Sequence, residues 1–284
     1  MANFMLSYRH SFHAGNHADV LKHCIWLHCL KYMTAKNKPL RVIDTHAGAG
    51  GYTLDNAHPK HRAEYLDGIA RLWHSTDLPP LLAEYRAQIK ALNSGELNYY
   101  PGSPKLTQAN LRPGDSAWFY EMHTADHRLL EKALGRDRQI HISDNDGFEG
   151  LKALLPPPER RALVLMDPSY EIKTDYKRVV DAVTQAHKRF SPVSVALWYP
   201  VVNREHIDQM ERKLARSGIA DIQLYELGIS ADSKGFGMTA SGMILINPPW
   251  TLWQAMEPVL PFLAETLNEA NTGHYRQVRL TAER

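Results

Sequence analysis

A chain in which short apolar runs alternate with helically patterned stretches has few ways to fold. Here the runs fall at 40–44, 116–121, 138–143, 162–167, 194–200, 222–229 and 242–247. Between most of them, at 125–135, 147–155, 174–190, 203–216 and 252–268, apolar residues recur at helical spacing. Strands alternating with helices build a mostly parallel sheet covered on both faces, so the expected fold is a doubly wound α/β sheet. The 284 residues are 44% hydrophobic, enough to bury such a sheet.

One connection is too long for this plan. A βαβ unit returns after about 30 residues, yet the first strand ends at Asp44 and the next begins near Ser116. The excess holds two helical patterns, AEYLDGIARLWHS and PLLAEYRAQIKAL, bounded by HPKH and YYPGSP. The expected organisation is an N-terminal arm (1–16), a main domain (17–51 and 101–284) and a helical insertion (52–100) between the first two core strands. Loops over strand ends carry function in such folds, so the insertion is read as shaping access to the pocket. The plainer reading is a solvated ornament. The segment 18–36 reads as a helix with Val20, Leu21, Cys24, Leu27 and Leu30 on one face.

The first strand runs into a glycine loop, VIDTHAGAGGY. A P-loop needs Gly-Lys-Ser/Thr, but Gly51 is followed by Tyr52 and Thr53, which excludes that reading. A dinucleotide site needs a third glycine that is absent after Gly48 and Gly50. An acidic strand end followed by G-x-G, here Asp44, Gly48 and Gly50, suits S-adenosylmethionine, a cationic ligand without a pyrophosphate. Two further strand ends strengthen this reading. Glu121 closes the second run, where a carboxylate can accept both ribose hydroxyls, and Asp146 with Gly147 follows the third, in reach of an adenine edge. Each acid taken singly also reads as a helix cap, Asp146 especially. Their serial placement favours a nucleoside pocket.

Two stretches resemble a grip for an exocyclic amine: DPSY at the fourth run and NPPW at the last. NPPW has the better spelling. In a methyltransferase-type sheet, however, the last strand runs antiparallel and ends at the edge away from the pocket. NPPW is therefore read as a strand terminator with Trp250 packed on the final helix, and DPSY as the grip. An adenine amine is a poor nucleophile because its lone pair is shared with the ring. Asp167 and the Pro168 carbonyl can each accept one amine hydrogen, freeing that lone pair for in-line attack. Tyr170 is expected to stack on the base, worth about 1–3 kcal/mol, and the base must be unstacked to enter.

Composition sets outer bounds. A net charge of +2 neither demands nor excludes a polyanionic partner. Cys24 and Cys29 suit neither a zinc knuckle nor a disulfide framework, which points to a reducing compartment. No basic-then-apolar leader and no membrane-length apolar run is visible, so the protein reads as cytoplasmic and soluble, with no membrane association. His10, His13, His17 and His23 lack the spacing of a metal set, so no metal is expected. Arg9, Lys22, Lys173, Lys177, Arg178 and Arg204 are candidate phosphate contacts, with plain solvation as the competing reading.

Several motifs together resemble the bacterial 23S ribosomal RNA adenine-N6 methyltransferase J family: YRHSFHAGNHADVLKH (8–23), DTHAGAG (44–50), YYPGSP (99–104), DPSYE (167–171), ALWYPV (196–201) and GMTASGMILINPPW (237–250). The similarity spans nearly the whole chain. It implies a Rossmann-like class I methyltransferase sheet and S-adenosyl-L-methionine as cofactor. It also implies 23S rRNA as partner; the sequence leaves the oligomeric state open, with a monomer as the default expectation. His23, His46, Ser103, Glu121, Asp146, Gly147 and Asp167 match the family's cofactor contacts, Asp167 its catalytic residue and Tyr8 a position linked to RNA. The departure is Ser169, where the family has proline; activity is expected to survive with a looser loop. The alternatives are a DNA adenine or small-amine methyltransferase, and a non-catalytic RNA-binding protein.

Overall fold

The computed structural model describes residues 13–54, 63–172, 174–232, 237–268 and 272–282. Eight strands form one sheet: β1 (Arg41–Asp44), β4 (Ser116–Tyr120), β5 (Ile140–Ser143), β6 (Ala162–Met166), β7 (Ser194–Val201), β8 (Ile222–Gly228), β9 (Ala240–Ile246) and β10 (His274–Thr281). Their spatial order is β10-β8-β9-β7-β6-β1-β4-β5. β1 pairs in parallel with β4 and β6, while β9 is antiparallel to both β7 and β8. This is the Rossmann-like, doubly wound sheet expected from the sequence, with β4 and β5 added on one side of β1 and β6 and β7 on the other. Such a switch point opens a crevice at the carboxyl ends of the central strands.

The central strand β6 is apolar throughout because both faces of the sheet are covered. All five residues of β6 are buried, as continuous runs in parallel sheets usually are. On one face packs α1 (His17–Thr34), started by Asn16, whose side chain accepts from the amides of Ala18 and Asp19. On the other face lie α6 (Gly147–Leu154), α7 (Asp175–Arg189) and α8 (Arg204–Ala215). The far end of α1 is tied down by two guanidiniums: Arg161 donates to the Met33 carbonyl, and Arg112 donates to those of Thr34 and Lys36. Cations at a helix carboxyl end meet its unsatisfied carbonyls and the negative end of its dipole.

The long link from β1 to β4 contains β2 (Gly51–Thr53) and β3 (Tyr99–Pro101), which pair antiparallel with each other. Between these two strands come a short 3-10 turn (Glu64–Asp67), α2 (Ile69–Trp73) and α3 (Pro80–Ala91); α4 (Ser103–Gln108) follows β3. The backbone of Gly15 touches this segment, accepting from the Ile69 amide at 2.8 Å, and His13 pairs with Glu64 at 2.8 Å. The link from β4 to β5 is α5 (Thr124–Leu134).

Three sequence expectations need correction. The pattern at 252–268 is two helices, α9 (Leu252–Met256) and α10 (Val259–Thr266), divided where Pro258 leaves no amide for the ladder. Strand β10 had no counterpart among the apolar runs. Trp250 is not packed on the last helix; its side chain is 67% exposed. The NPPW stretch does follow the antiparallel β9. Asn247 fastens it at that edge, its side-chain amide donating to the carbonyls of Ser191 and Val193.

Candidate active site

The carboxyl ends of β1, β4 and β6 meet around the glycine loop, and backbone bonds fix their relation. The Thr45 amide donates to the Leu165 carbonyl at 3.0 Å and the Ala47 amide to that of Tyr120 at 2.9 Å. The loop then turns through Gly48, whose φ of +62° is left-handed. A side chain there would be strained and would meet the Tyr52 hydroxyl at 2.7 Å. The Gly48 amide donates to Glu121 Oε2 at 2.8 Å, and the His123 amide donates to Oε1 at 2.7 Å. Glu121 is thereby aimed by two amides. Burial still dominates its environment and holds its carboxyl above the usual range.

A cleft of about 260 Å³ lies over these ends. Of the residues expected at the cofactor, His23, His46, Gly48 and Ser103 line it from the side of α1, the glycine loop and α4. Glu121, Asp146, Gly147 and Asp167 line it from the ends of β4, β5 and β6, together with Pro168 and Ser169. Gly50 is not on the wall; its carbonyl accepts from the Gly102 amide at 3.0 Å, joining the loop to the start of α4. Tyr8 lies outside the described residues.

The lining carries five carboxylates (Glu121, Asp126, Asp146, Asp167, Asp175) and two strong cations (Lys22, Arg178). That excess of negative charge suits a ligand with a cationic sulfonium and an ammonium and opposes a pyrophosphate. The donor set therefore fits S-adenosylmethionine. Gly147 shows how tight the wall is: a Cβ would lie 2.1 Å from the Thr45 carbonyl oxygen. Asp146 caps α6 and accepts from the Phe148 amide at 2.8 Å, so its cap role and its place on the wall coexist.

Beneath the wall sits Asp44, fully buried, accepting from Ser103 Oγ at 2.7 Å and from the His46 amide at 3.2 Å. Burial raises its pKa to about 7 against the lowering effect of those two bonds. His46 is driven the other way, to about 4, because burial disfavours its cation, so it is neutral at ordinary pH. His23 is bonded through Nδ1 to the Tyr100 hydroxyl at 2.8 Å, and Tyr100 meets Tyr85 at 2.7 Å, which ties α1 to β3 and α3.

Lys22 is the site residue that sequence reasoning misplaced. It is not a surface phosphate contact: its side chain is 4% exposed, and Nζ lies 2.6 Å from Asp167 Oδ2 and 2.8 Å from Asp19 Oδ1. Burial alone would lower its pKa, but the two carboxylates outweigh that and raise it. A lysine on a helix that the fold buries all round needs a counter-charge, and Asp19 and Asp167 supply it. Arg204 is likewise committed elsewhere, to Glu226 and Asp232. Arg9 and Lys173 lie outside the described residues.

Tyr170 also departs from expectation. It takes a left-handed φ of +54°, its ring is buried 4.6 Å from that of Tyr176, and its hydroxyl donates to the Trp198 carbonyl at 2.7 Å. Placed inward, it does not line the cleft. Trp198 does, beside Lys22, whose Nζ lies 5.7 Å from the indole centre. Among the described residues, no cluster of three or more His, Cys, Asp or Glu is arranged to hold a metal ion, and no helix is long and apolar enough to cross a membrane.

Comparison with known proteins adds identity to this geometry. Residues 37–281 match the family model described as ribosomal RNA large subunit methyltransferase D, RlmJ. The chain is 50% identical over 271 residues to ribosomal RNA large subunit methyltransferase J of Escherichia coli (strain K12), covering 95% of this chain and 97% of that one. It is 45% identical over 281 residues to the protein of that name from Haemophilus influenzae, covering 98% of this chain and 100% of the relative. A crystal structure of a Legionella pneumophila protein, 36% identical, superposes with a TM-score of 0.87 over 94% of this chain and 98% of that one.

Proposed function

The chain belongs to the large-subunit ribosomal RNA methyltransferase J family, and from that premise we propose that it methylates the N6 amine of an adenine in 23S rRNA. S-adenosylmethionine is the donor; when bound, it supplies an electrophilic methyl group on a sulfonium. The observation that carries the reading is the position of Asp167 and Pro168. Both stand at the carboxyl end of the strand beside β1 and face the same cleft as Glu121, Asp146 and Gly147.

In this reading Glu121 accepts the ribose hydroxyls, and Asp146 with Gly147 faces the cofactor's adenine. His23, His46 and Ser103 complete the cofactor contacts. Asp167 and the Pro168 carbonyl each accept one hydrogen of the target amine, leaving its lone pair free to attack in line. Lys22 balances the Asp167 carboxylate at the edge of the cleft. No strong base is required, because the methylated aminium is acidic and gives up its proton readily. Tyr170 stacks on the base only after leaving its inward position, and Tyr8 of the arm meets the RNA. The segment 52–100 shapes the approach, and the protein acts as a monomer without a metal.

Asp167→Ala should abolish radiolabelled methyl transfer to deproteinised 23S rRNA while S-adenosylhomocysteine still binds in calorimetry. Undiminished turnover would remove Asp167 from the mechanism. Equal or better transfer to DNA would replace the RNA assignment with a DNA one. A wild-type protein that binds no S-adenosylhomocysteine would leave only a non-catalytic role.

A further inference from the structure

Arg178 stands in the first turn of α7, just beyond the 167–172 loop, and reaches across the cleft rim to the start of α6. Its Nη2 donates to Asp146 Oδ2 at 2.6 Å, while Asp146 Oδ1 is held by the Phe148 amide at 2.8 Å. A short side chain fastened at both oxygens has one orientation. Arg178 is itself held on three sides. Its Nη1 is 3.6 Å from Asp175 Oδ1, and its guanidinium carbon lies 4.6 Å from the centre of the Phe148 ring. That ring meets His46, another wall residue, edge-on at 4.9 Å. Burial acts to raise the Asp146 pKa, but the Phe148 amide and Arg178 outweigh it, and the carboxyl sits below its usual range.

We propose that Arg178 is a positioning residue that sets the Asp146 carboxylate to read the cofactor's purine, and so decides between a 6-amino and a 6-oxo ring. The inference rests on the reading of the cleft as the cofactor site. An ionised carboxylate only accepts hydrogen bonds, so it pairs with an exocyclic amine and repels a carbonyl at the same position. It discriminates only while it stays ionised and points at the ring edge, and Arg178 maintains both. The planar fork of arginine suits this task, whereas a lysine offers a point charge without the second direction.

The test is calorimetry with S-adenosylhomocysteine and its deaminated 6-oxo analogue, S-inosylhomocysteine, on wild type, Arg178→Gln, Arg178→Lys and Asp146→Asn. Arg178 is 43% exposed, so its replacement should fold, and an unchanged unfolding midpoint verifies this. Wild type should prefer the adenosyl ligand. Arg178→Gln should cut that preference by about tenfold, as expected for a charge-assisted hydrogen bond. Asp146→Asn should do the same, and Arg178→Lys should restore part of it. A purely structural arginine would weaken both ligands equally and leave the ratio unchanged, which overturns the proposal. Tighter adenosyl binding by Arg178→Gln would also overturn it, by making Arg178 a competitor for the carboxylate. Wild type binding neither ligand would sink the cofactor reading and this inference with it, an outcome distinct from an unchanged ratio.

Discussion

Asp44 makes the folded state titrate in a way that can be measured. Its carboxyl is fully buried and moves from 3.8 to about 7 on folding, burial being the main cause. At about 1.4 kcal/mol per pH unit, that difference is worth roughly 4 kcal/mol. Because the folded value is the higher one, the native state binds the proton more tightly than the unfolded chain. Its contribution to stability is therefore complete below about pH 4 and is lost as pH rises through about 7. Asp44→Asn removes the titration. The amide changes the pairing with Ser103 Oγ and the His46 amide, a pH-independent loss of about 1 kcal/mol. Urea unfolding of both proteins between about pH 4.5 and pH 8 isolates the effect, since all other carboxyls cancel in the difference. Relative to the variant, wild type should lose about 3–4 kcal/mol across that range. Parallel curves would show that Asp44 is ionised in the folded protein at all these pH values, and the argument from burial would fail.

Lys22→Met removes the ammonium that Asp19 and Asp167 share, and should destabilise by about 3–5 kcal/mol. Adding Asp167→Asn should recover part of that loss in denaturation midpoints; no recovery would mean that the two side chains are uncoupled. Gly147→Ala places a Cβ where only 2.1 Å separates it from the Thr45 carbonyl oxygen. It should lower stability by roughly 1–3 kcal/mol and weaken S-adenosylhomocysteine binding in calorimetry, and unchanged affinity would mean the wall can give way.

The sheet was readable where burial is complete on both faces. β6 is apolar because no water reaches either side, and burial of that kind writes itself into composition. β10 was not readable. It is an edge strand of intermediate exposure carrying Arg276 and Arg279, so no apolar run marks it, and only its antiparallel pairing with β8 makes it a strand. The spacing of α1 marks one apolar face, but α3 and α4 pack its flanks as well, so Ile25 and Trp26 are buried too. At the site, Asp44, Glu121 and Asp167 could be placed because each ends a strand or follows one directly. The Lys22–Asp167 pair joins residues 145 positions apart, and no local pattern encodes such a contact. Tyr170 faces inward at a left-handed φ, against Tyr176 and the Trp198 carbonyl, a property of the folded loop.

The inward Tyr170 makes the loop its own competitor. The ring already has a partner in Tyr176 and the hydroxyl already has an acceptor in Trp198. In the proposed stacking role, an incoming base would be measured against those contacts and not against water. Every 1.4 kcal/mol by which they favour the docked tyrosine weakens observed base affinity about tenfold. A loose nucleotide would have nothing to offset that preference. If Tyr170 has the proposed stacking role, a long RNA would bring binding energy from its other contacts, and the docked tyrosine would act as a filter for substrate size.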